Sequence, residues 1–196
     1  FHSLQAGRWF KLICGASFQH LPAIRSLALV YGLAGADCLD VAADPAVVAA
    51  ARSGLAAARS LAPAQDLPWL MVSLNDGEDP HFRKAEFVAD RCPADCPRPC
   101  ERVCPTGAIV FPDPKFSDFA QSGVIQSGGV QTDLCYGCGR CLPVCPLGLI
   151  EARSHQVAAE SIVSLVLGDR VPAGVPADRV PADHPQPDPV VALEIH

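Results

Sequence analysis

Two dense runs of cysteine constrain this chain more than any other feature. The first is Cys92-Pro-Ala-Asp-Cys96-Pro-Arg-Pro-Cys100-Glu-Arg-Val-Cys104-Pro105, spaced C-x3-C-x3-C-x3-C-P. The second is Cys135-Tyr-Gly-Cys138-Gly-Arg-Cys141-Leu-Pro-Val-Cys145-Pro146, spaced C-x2-C-x2-C-x3-C-P. The residues that follow repeat as well: Cys104-Pro-Thr-Gly-Ala-Ile109 matches Cys145-Pro-Leu-Gly-Leu-Ile150. This is an internal duplication of a metal-ligating segment. Pro105 and Pro146 fix φ and cannot continue a backbone ladder, so each turns the chain away after its cysteine.

The second run has the spacing that holds a [4Fe–4S] cluster in bacterial-type ferredoxins, where the last cysteine of each run ligates the other cluster. Carried over by position, cluster A uses Cys92, Cys96, Cys100 and Cys145. Cluster B uses Cys135, Cys138, Cys141 and Cys104. The wider gaps of the first run relax the ligand geometry, so cluster A is a [4Fe–4S], a [3Fe–4S] or a labile cluster. Ile109 and Ile150 would pack beside the clusters and limit water access. Zinc also takes four thiolates, but usually from two separated C-x2-C pairs. Disulfides require an oxidising compartment. Both fit the spacing less well than iron–sulfur. Cys14 and Cys38 lie in apolar segments away from the runs and read as buried small hydrophobes.

Composition excludes several classes. The 196 residues are 49% hydrophobic with a net charge of −6, and no basic patch suited to nucleic acid is present. No apolar run reaches membrane-spanning length. The chain opens on Phe1-His2-Ser3 rather than on a signal peptide, and reads as a trimmed chain. Ten cysteines without a secretory leader suggest a reducing cytoplasm, where clusters can be assembled.

Ahead of the cysteines, residues 1–76 read as β-α-β-α-β. Apolar runs at Lys11–Gly15, Cys38–Ala43 and Pro68–Leu74 suit buried strands. Leu21–Ala34 carries helical periodicity and Gly35 closes it. Asp44-Pro45 opens a second helix, Asp as N-cap and Pro at the first position, running to about Leu61. At the strand ends stand Ser17, Asp40, Asp44 and Asn75. Asp44 is explained by capping, Asp40 reads as a buried paired carboxylate, and none is assigned a catalytic role. Residues 77–153 form the iron–sulfur module, with a strand expected at Phe82–Phe87 and further strands or loop at Ile109–Phe111 and Val124–Thr132. Residues 154–196 return through a helix over Gln156–Leu167, a proline-rich loop at 169–189 and a fourth strand at Val190–Ile195. The fold class is therefore α/β: a partial TIM-barrel-like parallel sheet with an inserted ferredoxin-like (α+β) two-cluster domain. A complete barrel needs about 200 residues or more.

The stretches Arg8–Ser17, Leu33–Pro45 and Cys92–Cys104, with the terminal Val-Ala-Leu-Glu-Ile-His196, resemble the light-dependent period family of cyanobacteria. The resemblance spans most of residues 8–152; the proline-rich loop departs from it. It implies an iron–sulfur protein that carries cellular redox state, and through it light, into the circadian clock. It also implies a longer protein and cluster ligands at the eight cysteines of the runs. Three functions follow: a redox-responsive signalling protein, an oxidoreductase with a substrate or flavin site at the strand ends, and an electron-transfer subunit. A sensor or carrier is favoured over an enzyme, because no catalytic constellation accompanies the clusters. The partners would be clock-input or photosynthetic electron-transfer proteins, with quinone or ferredoxin as exchange partners.

Overall fold

The computed structural model describes residues 2–75, 77–111, 128–157 and 190–195. The elements in chain order are α1 (His2–Gln5), β1 (Lys11–Ile13), α2 (Leu21–Leu33), β2 (Cys38–Ala42), α3 (Pro45–Leu61), β3 (Trp69–Leu74), β4 (Arg83–Glu86), a 3-10 turn (Ala89–Arg91), α4 (Pro99–Val103), β5 (Ile109–Val110), β6 (Gly129–Val130), β7 (Glu151–Ser154) and β8 (Val190–Ile195). They form two compact units: Phe1–Glu78 with Gln156–His196, and Asp79–His155. The helix expected beyond Gln156, the loop at 169–189 and residues 124–127 fall outside the described residues.

The larger unit is mixed α/β. Its sheet has the order β1-β2-β3-β8, and every pairing is parallel. Parallel strands need a crossover, and α2 and α3 supply two of them. All five residues of β2 are buried, as expected of an inner strand in a covered parallel sheet. Asp40 is the polar exception, 1% exposed. Its carboxylate pairs with Lys11 Nζ at 3.2 Å and accepts from Ser73 Oγ at 2.6 Å. Neighbouring strands thus neutralise what burial would penalise.

The helix ends follow the local chemistry. Asp44 accepts from the N–H groups of Ala46 and Val47 at 3.0 and 3.2 Å, capping α3. Gly35, at φ +82°, ends α2 in a Schellman turn: Ala36 N–H reaches Tyr31 O at 3.0 Å and Gly35 N–H reaches Gly32 O at 3.4 Å. Small residues let α2 and α3 approach closely. A Cβ at Gly54 would lie 2.3 Å from Arg25 O and 2.7 Å from Ala28 Cβ, and one at Gly32 would lie 3.2 Å from Ala58 Cβ.

The smaller unit pairs its strands from the outside in. β4 runs antiparallel to β7, and β5 antiparallel to β6. The first cysteine run lies between β4 and β5, the second between β6 and β7. Among the described residues, no helix is long and apolar enough to cross a membrane.

Gly54→Ala is expected to cost about 1–3 kcal/mol by overpacking, read as a lower urea midpoint. Gly77→Ala, where an added Cβ meets nothing within 4 Å, should leave the midpoint in place. Equal midpoints in the two variants would contradict the close helix crossing.

Candidate metal centre

Cysteine occupies core positions in the smaller unit. Cys100, Cys135 and Cys141 are buried with Ala85, Ala108, Ile109 and Ile150, and Cys104 and Cys145 pack against that cluster. Ile109 and Ile150, the duplicated isoleucines, both lie among the thiols.

The thiols gather in two groups. Cys92, Cys96, Cys100 and Cys145 line one pocket whose remaining walls are apolar, including Phe87, Phe111 and Ile150. Cys104 is absent from that lining. It interacts instead with Cys141, which also feels Cys135 and Cys138. Each run therefore sends its last cysteine to the other run's group. Cys138 is the exposed member.

The donor set is thiols alone, set in apolar walls, with backbone N–H groups aimed at sulfur. Such a set suits an iron–sulfur cofactor.

Those N–H groups come from a turn built twice. Gly107 N–H bonds Cys104 O at 3.3 Å, and Gly148 N–H bonds Cys145 O at 3.2 Å. Pro105 and Pro146 take the second position of these turns, where their fixed φ is favoured. The closing glycines have φ of +66° and +61°, a conformation costly for any residue with a Cβ. The chain then turns back on the sulfur: Ala108 N–H reaches Cys104 Sγ at 3.2 Å and Leu149 N–H reaches Cys145 Sγ at 3.3 Å. A third donor, Ala85 N–H on β4, reaches Cys135 Sγ at 3.5 Å. The repeated glycine signals the first two donors. Nothing in the side chain of Ala85 announces the third.

The longer gaps of the first run leave a strained position. Arg98 sits at φ +49°, the one non-glycine residue at positive φ among those described. That conformation costs roughly 1–2 kcal/mol. The guanidinium rests over the Phe111 ring at 4.3 Å, which helps hold it. The second run places Gly137 and Gly139 at φ +68° and +70°, so it bends without that penalty.

These surroundings separate the thiols. Burial pushes Cys104 and Cys145 up, but the backbone N–H groups, joined at Cys104 by the Thr106 hydroxyl, outweigh it and lower both pKa values. Burial dominates at Cys141, pushing it up to about 11, and it raises Cys92 and Cys100. Outside the runs, Cys38 is buried. Cys14 is half-buried and raised to about 11 by burial and then by Asp40. A larger hollow of about 780 Å³ in the other unit, bordered by Trp9, Asp37, Arg59 and Trp69, contains none of the cysteines.

The sign of the pH dependence follows. The lowered thiols favour the folded metal-free chain above their own pKa, and that support is lost as pH falls through it. Raised Cys141 costs stability as pH climbs from 9.0, its ordinary value, toward about 11. The thiolate is the nucleophile. Brief iodoacetamide labelling of metal-free protein at pH 8, read by peptide mass, should therefore modify Cys104 and Cys145 ahead of Cys141. Equal labelling would show that the N–H groups do not bias the sulfurs.

Comparison with known proteins agrees with this chemistry. Residues 92–156 match the LdpA Fe-S cluster-binding domain, a span that covers both runs. Over 165 residues the chain is 64% identical to Light dependent period A of Synechococcus elongatus, covering 84% of this chain and 42% of that protein. The chain thus spans about two fifths of the length of the curated relative it matches. No solved structure matches it. Identity at this level, with an iron–sulfur domain over all eight clustered thiols, makes the chain a member of the LdpA family.

Proposed function

We propose that the eight clustered cysteines hold two [4Fe–4S] clusters and that the chain is an iron–sulfur redox sensor in a light-dependent circadian input. The observation that carries this reading is the exchange of Cys104 and Cys145 between the two thiol groups. One shared ligand from each run ties both sites into a single fold, as in two-cluster ferredoxins. Cluster A then comprises Cys92, Cys96, Cys100 and Cys145, and cluster B comprises Cys135, Cys138, Cys141 and Cys104.

The strand pairing supports a ferredoxin-like arrangement, with β4 on β7 outside and β5 on β6 inside. When bound, the clusters supply one-electron chemistry. The chain's part is to present thiolates, to point N–H groups at Cys104, Cys135 and Cys145, and to keep water from the sulfurs with Phe87, Phe111 and Ile150. Light and period enter from the relative's name. Oxidation and reduction would be passed to clock-input or photosynthetic electron-transfer proteins in the cytoplasm, with quinone or ferredoxin exchanging the electrons. The sheet order β1-β2-β3-β8 adds each strand beside its predecessor, the succession of a barrel, and we read it as a barrel portion.

Anaerobically purified protein should carry about eight irons, with two interacting reduced [4Fe–4S] signals by EPR after dithionite. Cys104→Ser should weaken the cluster of the second run and Cys145→Ser that of the first. About four irons would remove the cluster of the irregular first run, and zinc without iron would end the redox reading. Partner binding that is unchanged across oxidised, reduced and cluster-free protein would sink the sensor role.

A further inference from the structure

Each cysteine run carries one arginine in the gap between its second and third thiols: Arg98 between Cys96 and Cys100, and Arg140 between Cys138 and Cys141. The two are held differently. Arg140 follows Gly139, which takes the positive φ of its loop at +70°, and is exposed. Arg98 takes the positive φ itself, at +49°, and is half-buried. A glycine there would make the same turn without the strain. A strained residue held in place by its surroundings points to a use for its side chain.

That use is not capping: Arg98 stands at the N-cap of α4, but its side chain makes no capping hydrogen bond. Among the described residues, no hydrogen bond or ion pair engages the guanidinium, which lies 4.3 Å from the centre of the Phe111 ring. Phe111 is itself a wall of the pocket that Cys92, Cys96, Cys100 and Cys145 line. The ring thus holds a positive charge beside the first thiol group. The charge is felt there: burial, then Cys96 and Cys100, push the Cys92 thiol up, and Arg98 opposes them. The acids of the same run, Asp95 and Glu101, are exposed, where solvent screens them more strongly.

We propose that Arg98 is a potential-setting residue for the cluster of Cys92, Cys96, Cys100 and Cys145, raising its reduction potential above the value its thiolates alone would give. The assignment rests on the two-cluster reading given above. In the step concerned, one electron from an external one-electron donor enters the oxidised cluster. No bond forms or breaks, and the guanidinium keeps its protons. The reduced state carries one more negative charge, so a positive charge held nearby favours it. Arg140, exposed to solvent, does the same for the other cluster more weakly.

The test is a dithionite titration of the full chain with its clusters, followed by EPR, in wild type, Arg98→Gly, Arg98→Gln, Arg98→Lys and Arg140→Gln. Glycine adopts φ +49° freely, so that variant removes the charge and spares folding. Glutamine removes the charge and leaves a side chain to cover the Phe111 ring. Both are expected to hold wild-type iron while one signal, the one that Cys145→Ser weakens, moves to lower potential. At fixed poise, its reduced-to-oxidised ratio should fall roughly threefold, about 28 mV at about 59 mV per decade for one electron. Arg98→Lys should keep most of the wild-type potential, and Arg140→Gln should leave that signal in place. Unmoved potentials in both the Gly and the Gln variant, or a shift in Lys as large as that in Gln, would overturn the assignment alone. A wild-type chain that takes up no iron at its first run would overturn the two-cluster reading and this assignment with it.

Discussion

In the smaller unit, thiols stand where aliphatic side chains would ordinarily make the core. Cys100, Cys135 and Cys141 are buried there with two alanines and two isoleucines. A small domain of this kind gains only modest stability from burial, and a staple adds to it. Metal–thiolate bonds are such a staple, and their formation is then part of the folding free energy. The short paired strands, the repeated Cys-Pro-x-Gly turns and the N–H groups aimed at sulfur all serve one end. They fix the positions of Cys104, Cys135 and Cys145 by backbone hydrogen bonds to their sulfurs.

The larger unit is stabilised by different means. Its inner strand is fully buried, and its helices cross on glycine and alanine because larger side chains would hold them apart. The buried Asp40 is tolerated through Lys11 and Ser73 on the flanking strands. The cysteines of this unit, Cys14 and Cys38, stand outside the two clustered runs. Chemistry and scaffold are thus divided between separate stretches of chain, which is how one kind of site comes to be carried on many folds.

Much of this was legible in the residues because the signals are local. Asp44-Pro45 caps a helix through bonds two and three residues away, so the dipeptide is enough to announce it. Gly35 ends α2 for the same reason. The strand at Trp69–Leu74 begins one residue later than the apolar run, since Pro68 has no N–H to give to a ladder. The short helix Pro99–Val103 and the strand Glu151–Ser154 went unseen. The first is a single turn hidden among prolines and cysteines. The second is charged and draws its stability from pairing with Arg83–Glu86, far away in the chain.

The sequence by itself determined the kind of chemistry, because the number, spacing and duplication of cysteines restrict which metal group the chain can hold. It also determined the turns, because proline and glycine act on their own φ. Only the tertiary structure decided what depends on contacts between distant residues. It set Cys92, Cys96, Cys100 and Cys145 in a pocket walled by Phe87, Phe111 and Ile150. It buried Lys84 against the carbonyl of Thr132 and gave a backbone N–H of β4 to Cys135. Burial, electrostatic environment and backbone donation belong to no single residue, so they arise only once the chain has folded.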